Sequence, residues 1–124
     1  MLGGIFNSTK VMEKALDGAW TRNEAISQNI ANVDTPGYKR KTVAFEDLIK
    51  NAMDGSATSN SSVDNVEIQV NEDNSTLSTR QDGNNVDIES EMVSMAKNTI
   101  QYNTLVQSLS SSYKRLASVI SGGR

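Results

Sequence analysis

The chain contains no cysteine and no histidine in its 124 residues, and these absences exclude several kinds of chemistry. Without cysteine there is no disulfide framework and no thiol nucleophile. Zinc sites built from His or Cys ligands are excluded, and general acid–base catalysis loses its commonest agent. The sequence also has no glycine-rich phosphate loop and no calcium-loop register, and no lysine stands beside a serine on a nucleophile elbow. We therefore expect a protein that is not an enzyme, with no catalytic, cofactor-binding or metal-binding residues and no cofactor.

Large apolar groups are also scarce. Apolar residues make up 36% of the chain and aromatic residues 5%, which limits the core that the chain can bury by itself. No apolar run reaches the roughly 20 residues of a membrane span, and the N-terminus lacks the features of a cleaved secretory signal. The net charge of −3 argues against nucleic acid as the main partner. We expect no direct membrane insertion, no nucleic-acid binding, and folding that is helped by partner proteins.

The first third of the chain has the apolar spacing of an amphipathic helix. Apolar residues recur at every seventh position from Ile5 to Val33, with companions four residues after some of them. This pattern predicts a helix over about residues 8–32, with Ser8 or Asn7 as its N-cap.

The C-terminal segment has the same spacing over a longer stretch. Asn85 or Asp87 can cap a helix that continues to Gly122. A narrow apolar seam at this spacing needs a partner helix, and the N-terminal helix carries the matching heptad, so the two are predicted to pair. The predicted seam consists of Ile88, Met92, Met95, Tyr102, Val106, Leu109, Tyr113, Leu116 and Ile120.

The segment between the two helices is short and polar. Helical spacing predicts a short helix over about residues 44–53, capped by Thr42. The following stretch is rich in Ser, Asn, Asp, Thr and Gly, and its alternating Val66–Val70 region predicts one weak strand that pairs with residues 76–79. The remainder of this stretch has the composition of linker or disordered chain.

Together these segments predict a mainly all-α fold. Long N- and C-terminal helices pair as an antiparallel coiled-coil-like unit, and the polar middle is partly disordered or weakly β. The chain divides into residues 1–53 (helix, corner and short helix), a variable polar loop over 54–85, and the C-terminal helix over 86–124. We predict one structural domain formed from both termini.

The most informative segment is the corner, which we define as residues 29–41. It contains the only proline of the chain, and Pro36-Gly37 fits the central positions of a type II turn. Asn32 is a candidate for the left-handed residue at the helix end, and Tyr38 is expected to anchor the turn. We predict an assembly motif made of Asn29, Asn32, Asp34, Thr35, Pro36, Gly37, Tyr38, Lys39 and Arg40.

Two surfaces remain open to two interpretations each. The cations at 39–41 form either a solvated charge run or a cluster that meets acidic groups of a neighbouring subunit. The C-terminal helix has no charged residue from Asn98 to Tyr113, which suits either an ordinary solvent-facing surface or a second packing surface. This polar packing face comprises Gln101, Thr104, Gln107, Ser108 and Ser111.

Residues 29–40, Asn-Ile-Ala-Asn-Val-Asp-Thr-Pro-Gly-Tyr-Lys-Arg, resemble the N-terminal signature of bacterial flagellar rod and hook proteins. The short length and the 82–92 segment that leads into the last helix are most similar to the proximal members of that family. The resemblance implies paired terminal helices around a variable middle. It also implies a structural subunit of the basal-body rod, a helical tube that transmits torque and encloses the export channel for flagellum-dependent motility.

The resemblance further implies the partners and the location. The partners would be other copies of the chain, other rod proteins, the adaptor that joins the rod to the membrane ring, and the flagellar type III export apparatus. The chain would lie in the basal body outside the cytoplasmic membrane and be exported without a cleaved signal peptide. Two alternatives stay open: another rod subunit of the same family, and a soluble coiled-coil adaptor or secretion chaperone that does not polymerise.

Overall fold

A computed structural model of the chain describes residues 2–53, 63–75 and 80–122. Most of these residues are helical, as the sequence predicted. The elements are α1 (Leu2–Ala31), β1 (Lys41–Val43), α2 (Glu46–Met53), a 3₁₀ turn (Val63–Asn65), β2 (Val70–Glu72) and α3 (Ile88–Ser121).

The two long helices pack against each other in antiparallel orientation. Near the start of α3, the side chain of Asn29 donates to Glu91 (3.1 Å). Further along α3, the rings of Trp20 and Tyr102 lie 6.3 Å apart. From Glu91 to Tyr102 the residue numbers on α3 increase, while those of their partners on α1 decrease from Asn29 to Trp20. The predicted antiparallel pairing is therefore confirmed.

Both ends of α3 follow the predicted local signals. The carboxylate of Asp87 accepts from the backbone N–H groups of Glu89 (3.0 Å) and Ser90 (3.4 Å), so Asp87 is the N-cap. Gly122 is the C-cap, and its N–H bonds to the carbonyl of Ser118 (2.6 Å). Position 123 lies outside the described residues. Local capping chemistry was sufficient to place this helix.

The start of α1 was predicted wrongly. The helix already runs from Leu2, so Asn7 and Ser8 lie inside it and neither is its N-cap. Asn and Ser favour caps, but they are tolerated within a helix when the backbone ladder continues through them. The apolar period therefore predicted the helix correctly, but the predicted N-terminus lay about two helical turns too late in the sequence.

The strand of the middle segment lies at 70–72, at the end of the predicted 66–70 region. This strand, β2, pairs antiparallel with β1, with Thr42 opposite Asn71. Thr42 therefore belongs to a strand and does not cap α2, which begins only at Glu46. The predicted partner at 76–79, like positions 54–62, lies outside the described residues. A three-residue pairing between distant segments leaves almost no local trace in a sequence.

The core lies where β1 and α2 pack on the middle of α1. Phe45 is almost completely buried there, together with Ala19, Ala25, Val43 and Ile49. Its ring rests directly on Gly18, where an added Cβ would overlap the ring carbons. Gly18, which costs α1 helical propensity, thus provides the space for the largest buried side chain.

Arg22 closes this core from the side. Its guanidinium lies 4.6 Å from the centre of the Phe45 ring and donates two hydrogen bonds to the carbonyl of Val43 (3.0 and 2.8 Å). It also forms a bidentate pair with the Glu46 carboxylate (2.6 and 2.7 Å). These hydrogen bonds from Arg22 hold the pKa of Glu46 at about 2, below its usual value of 4.5. One side chain of α1 therefore fixes both the end of β1 and the start of α2.

Replacing Gly18 by Ala is expected to destabilise the protein by about 1–3 kcal/mol, because the new methyl group overpacks the Phe45 ring. Helical propensity alone predicts the opposite sign, a gain of roughly 1 kcal/mol. Gly4→Ala is the matched control, because nothing lies within 4 Å of the Cβ it would add on the same helix. Urea unfolding of the two variants measures the difference, and a stabilised Gly18→Ala protein would contradict the packing described here.

The Arg22–Glu46 pair is expected to make stability depend on acid pH. Since folding lowers the pKa of Glu46, the pair contributes fully above about pH 4.5 and its contribution is lost as the pH falls towards 2. Glu46→Gln should therefore lose less stability than the unmodified chain between pH 5 and pH 2. Because about half of the Glu46 side chain is exposed, the difference should be below about 1 kcal/mol.

Thermal unfolding at several pH values measures this effect. Glu67→Gln, which changes an exposed glutamate outside the helices, is the control and should follow the unmodified protein. Parallel pH profiles for Glu46→Gln and the unmodified chain would count against the pair.

Candidate functional site

The corner is built on a tight turn at 35–38. The N–H of Tyr38 bonds to the carbonyl of Thr35 (3.3 Å), and Gly37 adopts a φ of +73°. This is the hydrogen bond and the glycine conformation of the predicted type II turn. Asn32 was predicted to be left-handed, and that prediction is wrong, since no non-glycine residue in the described ranges has a positive φ. Instead its N–H continues the helical pattern by bonding to the carbonyl of Gln28 (3.0 Å).

A second turn, in the loop before α3, packs against the first. Gly83 also has a positive φ, of +78°, and Gly37 donates its N–H to the carbonyl of Asp82 (2.9 Å). A Cβ on Gly83 would lie 3.9 Å from the Cα of Gly37, so the two glycines abut. This contact joins the end of the N-terminal helix to the start of the C-terminal one.

Asn84 binds carbonyl groups just beyond the end of α1. It is 1% exposed, and its amide nitrogen lies 2.9–3.0 Å from the carbonyl oxygens of Asn32, Val33 and Thr35. Arg80 adds a hydrogen bond to the carbonyl of Val33 (2.6 Å). These carbonyls follow the last residue of α1, so the loop before α3 holds the chain where it leaves the helix. Sequence reasoning missed both residues because their partners are about 50 positions away.

A buried ionic cluster, formed by Asn29, Arg40 and Glu91, lies behind the turn. Glu91 is completely buried and receives hydrogen bonds from Arg40 Nε and from Asn29 Nδ2 (3.1 Å). Asn29 also donates to the carbonyl of Lys41 (2.8 Å) and accepts from the Lys41 N–H (2.8 Å) and the Tyr38 hydroxyl (3.0 Å). Both oxygens of the buried carboxylate and both ends of the amide therefore have partners. The Tyr38 hydroxyl thus ties the turn to Asn29 near the end of α1.

The cations at 39–41 contact their own chain. Lys39 Nζ donates to the carbonyl of Gly83 (2.8 Å), and Lys41 Nζ donates to Gln28 Oε1 (2.9 Å). The acidic group that Arg40 meets is Glu91 of the same chain. The interpretation that these cations meet a neighbour's acids is therefore not needed for Arg40. By contrast, Asp34, Thr35, Pro36 and Gly37 are all exposed.

Only half of the predicted α3 seam faces α1. Met95, Tyr102, Leu109 and Leu116 are half-buried. The other members are exposed, and they form a strip that we call the apolar flank: Ile88, Met92, Val106, Tyr113 and Ile120. The residues of α3 that are buried or half-buried instead also recur every seven positions, and all but Leu105 are polar. They are Glu91, Asn98, Leu105 and Ser112.

The buried polar groups explain why α3 is rotated away from its apolar seam. Glu91 is tied to Arg40 and Asn29, and Asn98 Nδ2 donates to the backbone carbonyl of Ala19 in α1 (2.8 Å). Leaving such groups buried without partners would cost more than exposing part of an apolar stripe. The apolar flank borders an open groove of about 490 Å³, which is lined mainly by apolar atoms of Leu16, Val106, Leu109, Tyr113 and Ala117.

The polar packing face lies on the outside of α3. Thr104, Gln107, Ser108 and Ser111 are exposed, and Gln101 is half-exposed. The Thr104 hydroxyl turns back to the carbonyl of Ile100 (2.8 Å) and so offers little to solvent. Whether this face packs against another protein stays a prediction. Within the described ranges there is no group of acidic side chains that could hold a metal ion, and no helix suited to cross a membrane.

Comparison with known proteins gives a family for this arrangement. The family model described as "Flagella basal body rod protein" matches residues 13–39, which span most of α1 and the turn. The flagellar basal body rod protein FlgB of Bacillus subtilis is 33% identical, over 97% of this chain and 98% of that protein. The chain belongs to the FlgB family of flagellar basal body rod proteins. The FlgB proteins of Borrelia hermsii (31% identical, 91% of this chain and 95% of that protein) and Escherichia coli (28%, 99% of each) are also similar.

In this FlgB-family chain the matched segment holds one partner of several contacts that join the two termini, whereas Arg40 lies one residue beyond it. Asn29 and Tyr38 lie inside it, whereas Glu91 and Asn84 lie in or just before α3. Glu91 and Asn84, which follow the middle segment in the sequence, therefore hold residues 29–38 in place. The side chains of Asp34 and Pro36 remain exposed beside these contacts.

Glu91→Ala is expected to destabilise the protein by about 3–5 kcal/mol, because it leaves the Arg40 charge and the Asn29 amide without their buried acceptor. The matched control is Glu89→Ala, an exposed acid in the same first turn of α3, which should change stability by less than about 0.5 kcal/mol. The double variant Arg40→Met with Glu91→Leu removes both charges and should be more stable than Glu91→Ala. Urea unfolding of the four proteins measures these differences, and equal stability of Glu91→Ala and Glu89→Ala would refute the cluster.

Proposed function

We propose that the chain is a non-catalytic structural subunit of the flagellar basal-body rod, placed in its proximal part. Copies assemble with each other and with other rod proteins into a helical tube that transmits torque and encloses the export channel. The adaptor between rod and membrane ring is a further neighbour, and the flagellar type III apparatus exports the chain. The family relationship and the unburied surfaces of α3 support this proposal.

The observation that carries the proposal is the apolar flank. Met92 is 60% exposed and Ile120 76% exposed, and both belong to a regular heptad series on one long helix. Ile100 and Val119, 68% and 66% exposed, add apolar surface elsewhere on the same helix. A soluble monomer rarely leaves a contiguous apolar strip on a helix, whereas a subunit that packs against neighbouring helices requires one.

The charge-free polar face suits the same role. Small uncharged groups such as Ser108 and Ser111 allow close approach of a neighbour, and they leave no unpaired charge buried when that neighbour packs on them. With an apolar flank on one side of α3 and a polar face on another, a subunit offers two different surfaces. Contacts between different surfaces are heterologous, and they generate a helical assembly when the rotation from copy to copy does not close a ring.

The experiment is complementation of a strain that lacks the gene. The unmodified chain should restore swimming and basal bodies with rods. Gln107→Glu with Ser111→Glu should fail to restore either, because assembly would bury two new charges without partners. Circular dichroism of the purified variant should be unchanged, since both side chains are exposed on α3.

Gln69→Glu with Asn74→Glu is the matched control, because it adds the same two charges at exposed positions of the middle segment. The strain that carries this control variant should swim. Normal rods in the α3 variant would remove the polar face from the interface. A deletion strain that swims and builds rods without the chain would refute the proposed function itself.

A further inference from the structure

A basic cavity lies between α1, β1 and α3. Its volume is about 330 Å³, and four cations line it: Arg22, Arg40, Lys41 and Lys97. On α3 the cavity opens beside Lys97. Successive residues of a helix are rotated by about 100°, so Lys97 and the apolar flank lie on opposite sides of the buried residues Glu91 and Asn98. The cavity shares Gln101 with the polar packing face, and its four cations belong to neither surface of α3 described above.

The cations of this cavity are only partly compensated within the chain. Glu46 neutralises Arg22 and Glu91 neutralises Arg40. Lys41 Nζ bonds to a neutral amide, and Lys97 forms no ion pair with any described residue. The cavity therefore keeps a positive charge on a chain whose net charge is −3, and it favours an anionic group.

The cavity also contains an unsatisfied buried atom. Asn98 is 3% exposed and lines the cavity, and its Oδ1 has no hydrogen-bond partner while its Nδ2 is bonded to the carbonyl of Ala19. A buried acceptor of this kind is costly unless water or a ligand supplies a donor. An anion that enters together with one water satisfies both Lys97 and Asn98.

The corner carries an exposed carboxylate of the charge that this cavity favours. Asp34 stands next to the apex of the 35–38 turn, it is exposed, and it forms no ion pair within the described residues. The turn below it is held by hydrogen bonds, among them the N–H of Thr35 to the carbonyl of Asn32 (3.0 Å). A turn held in this way is ordered before it binds, so a carboxylate beside it loses little conformational freedom when it enters a concave site.

We propose that the basic cavity of one subunit binds the Asp34 carboxylate of a second copy of this chain, with Lys97 as the main cation. This inference rests on the proposed function, because it specifies one contact between neighbouring subunits of the rod. Since the projecting turn and the cavity are different surfaces, the contact is heterologous and repeats from copy to copy. It assigns the exposed part of the corner to the interface and the buried part to the fold.

The test is a charge swap in the deletion strain. Lys97→Glu and Asp34→Lys should each lower the number of assembled rods about tenfold or more, because each places like charges together in the contact. The double variant, Asp34→Lys with Lys97→Glu, restores opposite charges and should recover assembly to within a few-fold of the unmodified chain. Lys50→Glu and Asp47→Lys, which make the same charge changes at exposed positions of α2, should assemble normally.

A second measurement uses the absence of cysteine from the chain. Asp34→Cys with Lys97→Cys should give a ladder of disulfide-linked oligomers in oxidised rods, and each single variant should give none. Normal assembly of Lys97→Glu, or a double variant as defective as the single ones, overturns this contact and leaves the proposed function standing. If the unmodified chain itself does not restore rods to the deletion strain, the proposed function fails first.

Discussion

The buried carboxylate of Glu91 is the constraint on which the rest of the structure depends. It is held by Arg40 and by Asn29, so it joins the corner, α1 and α3 at one point. A buried charge without partners is strongly destabilising, and this carboxylate therefore fixes the register of the helix pair as well as its rotation. A single buried polar residue sets register in coiled coils in the same way.

The rotation that Glu91 imposes determines which residues are left for assembly. With Glu91 and Asn98 turned towards α1, the apolar flank cannot reach the same helix and stays on the surface. The subunit therefore has an apolar strip on one side of α3 and a basic cavity on the other. Such an asymmetric distribution favours head-to-tail contacts over a closed dimer, as a rod requires.

The sequence allowed the elements with local signals to be predicted, and it failed where the signal was distant. The Pro36-Gly37 turn, the Asp87 cap and the antiparallel helix pair each rest on neighbouring residues or on a long regular period. The packing role of Gly18 leaves no local signal, because its partner Phe45 lies 27 positions away in sequence. The roles of Asn84 and Glu91 likewise depend on partners brought close only by the completed fold. The seam was placed by apolar period alone, and that period does not record where buried hydrogen bonds will hold a helix.

The burial of polar groups and the exposure of apolar ones also affect the stability of a single subunit. Hydrogen bonds and ion pairs buried between the helices contribute little net free energy, because the groups lose their water when they pair. Burial of a large apolar side chain contributes about 1.5–3 kcal/mol, and on α3 several such side chains remain exposed in the monomer. The stabilisation from burying these side chains is therefore not gained when the chain folds alone. Such a chain is best suited to gain its full order in the assembled rod, because binding to the folded state adds directly to its stability.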